Sequence, residues 1–125
     1  MWLRLIACVA LTLISDAFFL GWVTRGFFKT LVQRVQQREL KLRWPAAIAS
    51  SVGVAFGNWF FLLRDDEPWS VTRQLGAAVL AVLAYGTFEI TCFAIFELWS
   101  VESVVLDLAY GITSVSSVYA LTSQI

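Results

Sequence analysis

Histidine is absent from this 125-residue sequence, which excludes His-ligated haem, His-ligated zinc and Ser-His-Asp catalysis. Charge is scarce: Asp, Glu, Lys and Arg make up 14% of the residues, nine of each sign, for a formal net charge of zero. So sparse and balanced a set creates no field to gather nucleic acid or acidic substrates. Nor can it cover the large relative surface of a small soluble domain. Only two cysteines occur, Cys8 and Cys92. Both lie within apolar segments, nothing motivates a disulfide between them, and buried free thiols are the expected state. No linker, low-complexity tract or internal repeat interrupts the chain.

What is abundant is apolar surface. Hydrophobic residues make up 59% of the chain, and the mean hydropathy is +0.75. A lipid bilayer removes the need for a charged exterior, so the composition predicts one membrane domain over residues 1–125. The fold class expected is all-α: an integral membrane four-helix bundle. Its spans fall at about 5–23, 44–63, 74–96 and 102–122, each close to the 20 or so residues that cross roughly 30 Å of hydrocarbon. The first span resembles a signal peptide in having Arg4 before an apolar run. Asp16 and the FFLGWV that follows extend beyond an ordinary signal core, so the segment reads as a retained span.

Between the first two spans lies a basic amphipathic segment, TRGFFKTLVQRVQQRELKLR. Its cations Arg25, Lys29, Arg34, Arg38, Lys41 and Arg43 alternate with apolar residues near helical spacing. That pattern predicts a helix on the membrane surface, with its cations reaching lipid headgroups. By the positive-inside rule this loop faces the cytoplasm, or the matrix of a mitochondrion. Both termini and the acidic turn RDDEPWSVTR then share the other side. Asp65, Asp66 and Glu67 in that turn are adjacent rather than spaced as calcium ligands, so a solvated, helix-capping turn is expected. In the second span Ala49, Gly53 and Gly57 form a small-residue ladder that lets a neighbouring helix approach closely. Trp44 and Trp59 near its ends suit the interfacial belt.

Three acids fall inside the spans: Asp16, Glu89 and Asp107. Intramembrane carboxyls are costly and normally face protein or water. All three lie on the basic-loop side of their midpoints, displaced by roughly 3 to 7 Å at about 1.5 Å per residue, so the topology allows them to converge. The apolar cores contain no Lys or Arg to neutralise them. The partners expected are Arg25 and Lys29 reaching back from the loop, and the hydroxyls of Tyr85, Thr87, Thr91 and Tyr110. A hydrogen-bonded clasp that fixes helix register is favoured over a proton or cation site. No activated nucleophile or substrate pocket can be read, so the chain is expected not to be an enzyme.

The residues around the acids carry a resemblance. DAFFLGWVTRGFF, from Asp16, and AYGTFEITCFAIFELWSVESVVLDLAYG, from Ala84, are similar to a family of small membrane proteins known as domain of unknown function 2177. The family pattern runs approximately Ala-Tyr-x-Thr-Tyr-Asp-Leu-Thr-Asn, then Trp, then Asp and Trp-Gly. Ala84, Tyr85, Thr87, Thr91, Trp99, Asp107 and Gly111 match it. Phe88 and Glu89 replace Tyr-Asp, Cys92 replaces Asn and Tyr110 replaces Trp. The resemblance implies four membrane helices and carries no activity.

Two functions are compatible with this reading. The first is a noncatalytic accessory subunit of a larger membrane complex, such as a mitochondrial respiratory or ATP synthase complex. The second is a small proton- or cation-coupled transporter or channel-like protein using the three acids. The mitochondrial inner membrane is the favoured location, with a bacterial plasma membrane as the alternative. Membrane lipids and other membrane subunits are the expected partners, with a homo-oligomer compatible and nucleic acid excluded. No cofactor or metal is implied.

Overall fold

A computed structural model describes residues 1–125. Five helices account for the fold: α1 (Trp2–Val23), α2 (Arg25–Gln36), α3 (Trp44–Leu63), α4 (Val71–Ile95) and α5 (Val101–Thr122). All but α2 are long and apolar enough to cross a membrane, and the chain is an integral membrane protein. Large apolar side chains such as Ile6, Ile14, Phe61, Leu83 and Ile95 point outward. In water that exterior would be untenable; in lipid it is the solvated face.

The helices obey a simple periodicity with deliberate breaks. Along α1 the buried residues Arg4, Cys8 and Thr12 recur every fourth position, which keeps one stripe inward. The last turn, Phe19–Val23, widens to a π-helical turn. There Thr24 donates both its backbone N–H and its hydroxyl to the Phe19 carbonyl, each at 2.9 Å. A similar turn at Val82–Gly86 inserts one residue into the stripe of α4. The buried positions Ala77 and Ala81 therefore continue as Gly86 and Glu89, which rotates the lower half of the helix to aim Glu89 inward.

Packing is uneven. α5 lies along α4 and also against α1, and α1 lies along α3, whereas α3 and α4 barely touch beyond the turn that joins them. The lower half of α4 packs chiefly against α5. The apolar core (Cys8, Ala55, Leu63, Ala77, Ala81, Val115 and their neighbours) sits toward the end that holds both termini. Gly111 is the tightest point of the α4–α5 contact, since a Cβ there would overlap the Tyr85 ring.

That end is closed by ion pairs. The Met1 ammonium lies 3.2 Å from Asp66, and Arg4 lies 3.6 Å from the same carboxylate. Arg4 also donates to the carbonyls of Glu67 (2.9 Å) and Ser123 (3.4 Å). One buried guanidinium thus ties the first helix, the acidic turn and the last helix together. The acids of that turn do not cap α4; Ser70 does, accepting from the Arg73 N–H at 3.2 Å. Trp59 differs from its expected interfacial role. It is buried, stacks on Trp2 at 6.1 Å and donates to the Met1 carbonyl.

The basic segment is helical only over its first part. α2 stops at Gln37, which adopts a left-handed conformation (φ 59°), and residues 38–43 continue without regular structure. Gln36 donates to the carbonyls of Arg38 and Glu39, and these local bonds replace the helical ladder.

Gly111→Ala should destabilise the bundle by about 1–3 kcal/mol through overpacking, although alanine is the better helix former. Gly53→Ala, at a position with nothing within 4 Å of the added Cβ, should not. Reversible denaturant unfolding in mixed micelles separates the two; equal stabilities would refute the contact.

Candidate functional site

The polar interior is organised by α5. Ser103, Asp107, Tyr110 and Ser114 follow at i, i+4, i+7 and i+11, a spacing that places all four on one helical face. Ser103, Asp107 and Ser114 are buried and Tyr110 is half-buried. The acids of α1 and α4 meet this seam at two levels.

The first level is Asp16 on α1. Its Oδ1 accepts from the Tyr110 hydroxyl at 2.5 Å, and its Oδ2 accepts from the Ser51 hydroxyl on α3. Ser15 extends the network, bonding the Tyr110 hydroxyl at 3.0 Å and the Ser114 hydroxyl at 3.1 Å. The Tyr110 ring lies flat on Phe19, with centroids 3.7 Å apart, and meets the Tyr85 ring edge-on at 6.0 Å. One carboxyl therefore ties three helices, α1, α3 and α5, and its aromatic donor is held in place from two sides. Inside hydrocarbon such bonds replace the water a carboxyl would otherwise need.

The second level is Glu89, which is fully buried. Its Oε2 accepts from Trp99 Nε1 at 2.8 Å and from the Ser103 hydroxyl at 3.0 Å. Its Oε1 is enclosed and has no hydrogen-bond partner. Asp107 lies within hydrogen-bond reach of Glu89 and near enough to Asp16 to interact with it. The three acids thus form a chain along the seam rather than one cluster.

The expected constellation is brought together only in part. Asp16, Tyr85, Glu89, Asp107 and Tyr110 converge. Thr87 and Thr91 do not: both are exposed on the outer face of α4, where with Leu83 and Ile90 they line a depression of about 400 Å³. Each is two residues from Glu89, roughly 200° around the helix, so aiming Glu89 inward turns them out. Arg25 and Lys29 are exposed and pair with no acid. The ion pairs of the chain gather around Asp66 and within the acidic turn. The acids are held by hydroxyls and an indole N–H instead. All six loop cations are exposed and free to meet headgroups.

The ladder in α3 also divides. Gly57 faces Leu80, whose methyl groups a Cβ at that position would meet at 4.0 Å, but Ala49 and Gly53 face away from the bundle. Ser51 and Asn58, on the opposite side of α3, make its polar contacts, Asn58 donating to the Val115 carbonyl at 3.2 Å. The small-residue ladder and the terminal tryptophans, the features legible in this span, do not include them. Their separation of seven residues, a shared face, was the available signal, as was the stripe Ser103–Asp107–Tyr110–Ser114.

Tyr110→Phe removes one of the two donors to Asp16 and leaves the ring stack intact. A double-mutant cycle with Asp16→Ala should give a coupling of about 0.6–1.7 kcal/mol, the range for hydrogen bonds between membrane helices. A coupling of zero, by unfolding in micelles, would remove the Tyr110 bond from the Asp16 joint.

Comparison with known proteins gives one match. No curated protein and no solved structure matches the chain. A family model described as "Predicted membrane protein (DUF2177)" covers residues 1–124. The seam and its acids lie wholly within that range, and the chain belongs to the DUF2177 family of membrane proteins.

Proposed function

We propose that this chain is a noncatalytic structural or accessory subunit of a larger membrane complex. The observation that carries the reading is that Asp16 is closed by hydrogen bonds from two other helices. The carboxyl acts as a joint and presents nothing to a substrate. Two surface depressions support the same reading. One, of about 500 Å³, is lined by Phe27, Val101, Glu102, Val105, Leu106 and Ala109; the other is that beside Thr87 and Thr91. Both open on the outer faces of the helices, and none of the three acids lines them.

A partner helix has a place to dock. Ala49 and Gly53 form a small-residue strip on the outside of α3, and such strips let backbones approach closely in lipid. The unpaired cations of α2 and the residues after it would hold that end of the chain to anionic headgroups. The favoured home is the mitochondrial inner membrane, in a respiratory or ATP synthase complex, with a bacterial plasma membrane as the alternative. The basic segment then lies on the matrix or cytoplasmic side.

A second reading, a proton- or cation-coupled transporter, rests on a different observation. Glu89 Oε1 is buried without a donor, and Asp107 is beside it. Such a pair suits ion handling.

Native gels of membranes solubilised in mild detergent separate these readings. An accessory subunit migrates with a large assembly. Gly53→Ile should release it from that assembly while leaving its own unfolding transition unchanged. A chain that migrates alone as a 14.0 kDa protein and drives proton flux in liposomes would replace the first reading with the second.

A further inference from the structure

We propose that Glu89 and Asp107 together form a single proton-binding site, a carboxyl pair that holds one proton and one negative charge between α4 and α5. The pair would do so in a purely structural subunit and in a transporter alike, so the inference rests on neither reading.

The argument starts from the two oxygens of Glu89. Oε2 receives two donors, the Trp99 indole N–H and the Ser103 hydroxyl. Two donors on one oxygen suit a charged carboxylate. Oε1 is enclosed and receives no donor from any N–H or hydroxyl. The acid beside Glu89 is Asp107, buried on α5 one turn beyond the Ser103 whose hydroxyl bonds Glu89, and a carboxyl donates only when it carries a proton. One proton on the pair completes the bonding. No proton would leave two buried negative charges side by side, and like charges so placed do not both ionise.

The surroundings supply no other neutralising charge. On α4 the titratable neighbours are Cys92 and Tyr85, and on α1 the neighbour is Asp16. No Lys or Arg pairs with any of the three acids. Asp16 differs because two hydroxyls already serve its two oxygens. The pair also lies where the lower half of α4 depends on α5 for its packing, so the bridging proton is part of that contact.

A hydrophobic carbodiimide tests the site, because it enters lipid and reacts with protonated carboxyls. The carboxyl O–H adds across one C=N bond: oxygen bonds to the central carbon and the proton passes to nitrogen. The acyl group then migrates from oxygen to nitrogen, giving a stable N-acylurea with no leaving group. The chain in its native membrane, treated with dicyclohexylcarbodiimide at neutral pH and mapped by mass spectrometry, should carry one adduct on Glu89 or Asp107. In Asp107→Asn or Glu89→Gln the new amide is a permanent donor, so labelling should fall about tenfold even though one carboxyl remains. Glu97→Gln, at an exposed acid between α4 and α5, should label like the natural chain. Undiminished labelling of the remaining acid in either amide variant would overturn the shared proton, and so would protection by sodium at constant pH. The infrared spectrum of the unsubstituted chain in bilayers needs no variant to fold. It should contain the carbonyl band of a protonated carboxyl, shifted by exchange into deuterium oxide; its absence would also overturn the proposal.

Discussion

A buried polar group in hydrocarbon must find its partner inside the protein, and this one constraint shapes the bundle. Lipid offers no hydrogen bonds, and it does not press helices together as water does. Specific polar contacts therefore do much of the work of deciding which helix meets which. Here they are concentrated on one face of α5, where Ser103, Asp107, Tyr110 and Ser114 repeat at helical spacing. α1 brings Ser15 and Asp16 to that face, α4 brings Glu89, and α3 joins through Ser51, which donates to Asp16. The central position of α5 in the packing follows from this.

The two ends of the bundle are built differently. At the end with the termini, Arg4 joins Asp66 to the carbonyls of Glu67 and Ser123, above a core of small and apolar residues. At the other end α3 and α4 have little contact, and the polar seam takes over from apolar packing. A guanidinium is satisfied by an acidic turn with access to headgroups and water. Carboxyls deeper in the bundle have hydroxyls, an indole N–H and one another. The π-helical turns in α1 and α4 serve the same end, since each shifts the inward stripe by one residue where a strict repeat would point a polar group at lipid.

Much of the fold was legible because a membrane imposes a length and a composition on each span. Four apolar runs, a basic segment after the first and an acidic turn after the second are one-dimensional features. They translate directly into helices and connections. The acids were equally legible as anomalies, because a carboxyl in an apolar run has few explanations. Their partners were less so. Thr87 and Thr91 were drawn toward Glu89 by nearness in sequence, whereas helical geometry sends them to the opposite face. Ser51 shares a face with Asn58 seven residues on, which marks a polar side of the helix but not the carboxyl that it meets. Arg25 was the obvious counter-charge by distance along the chain, yet the α2 helix holds it outside.

By itself, then, the sequence determined the solvent, the number of crossings and the existence of three intramembrane acids, because these depend only on residue type and the length of apolar runs. Tertiary structure alone decided that Asp16 is closed by Ser51 and Tyr110 while Glu89 keeps a bare oxygen beside Asp107. Those outcomes depend on how four helices rotate about their axes, and the one-residue shift of a π-helical turn is enough to change which side chain faces in.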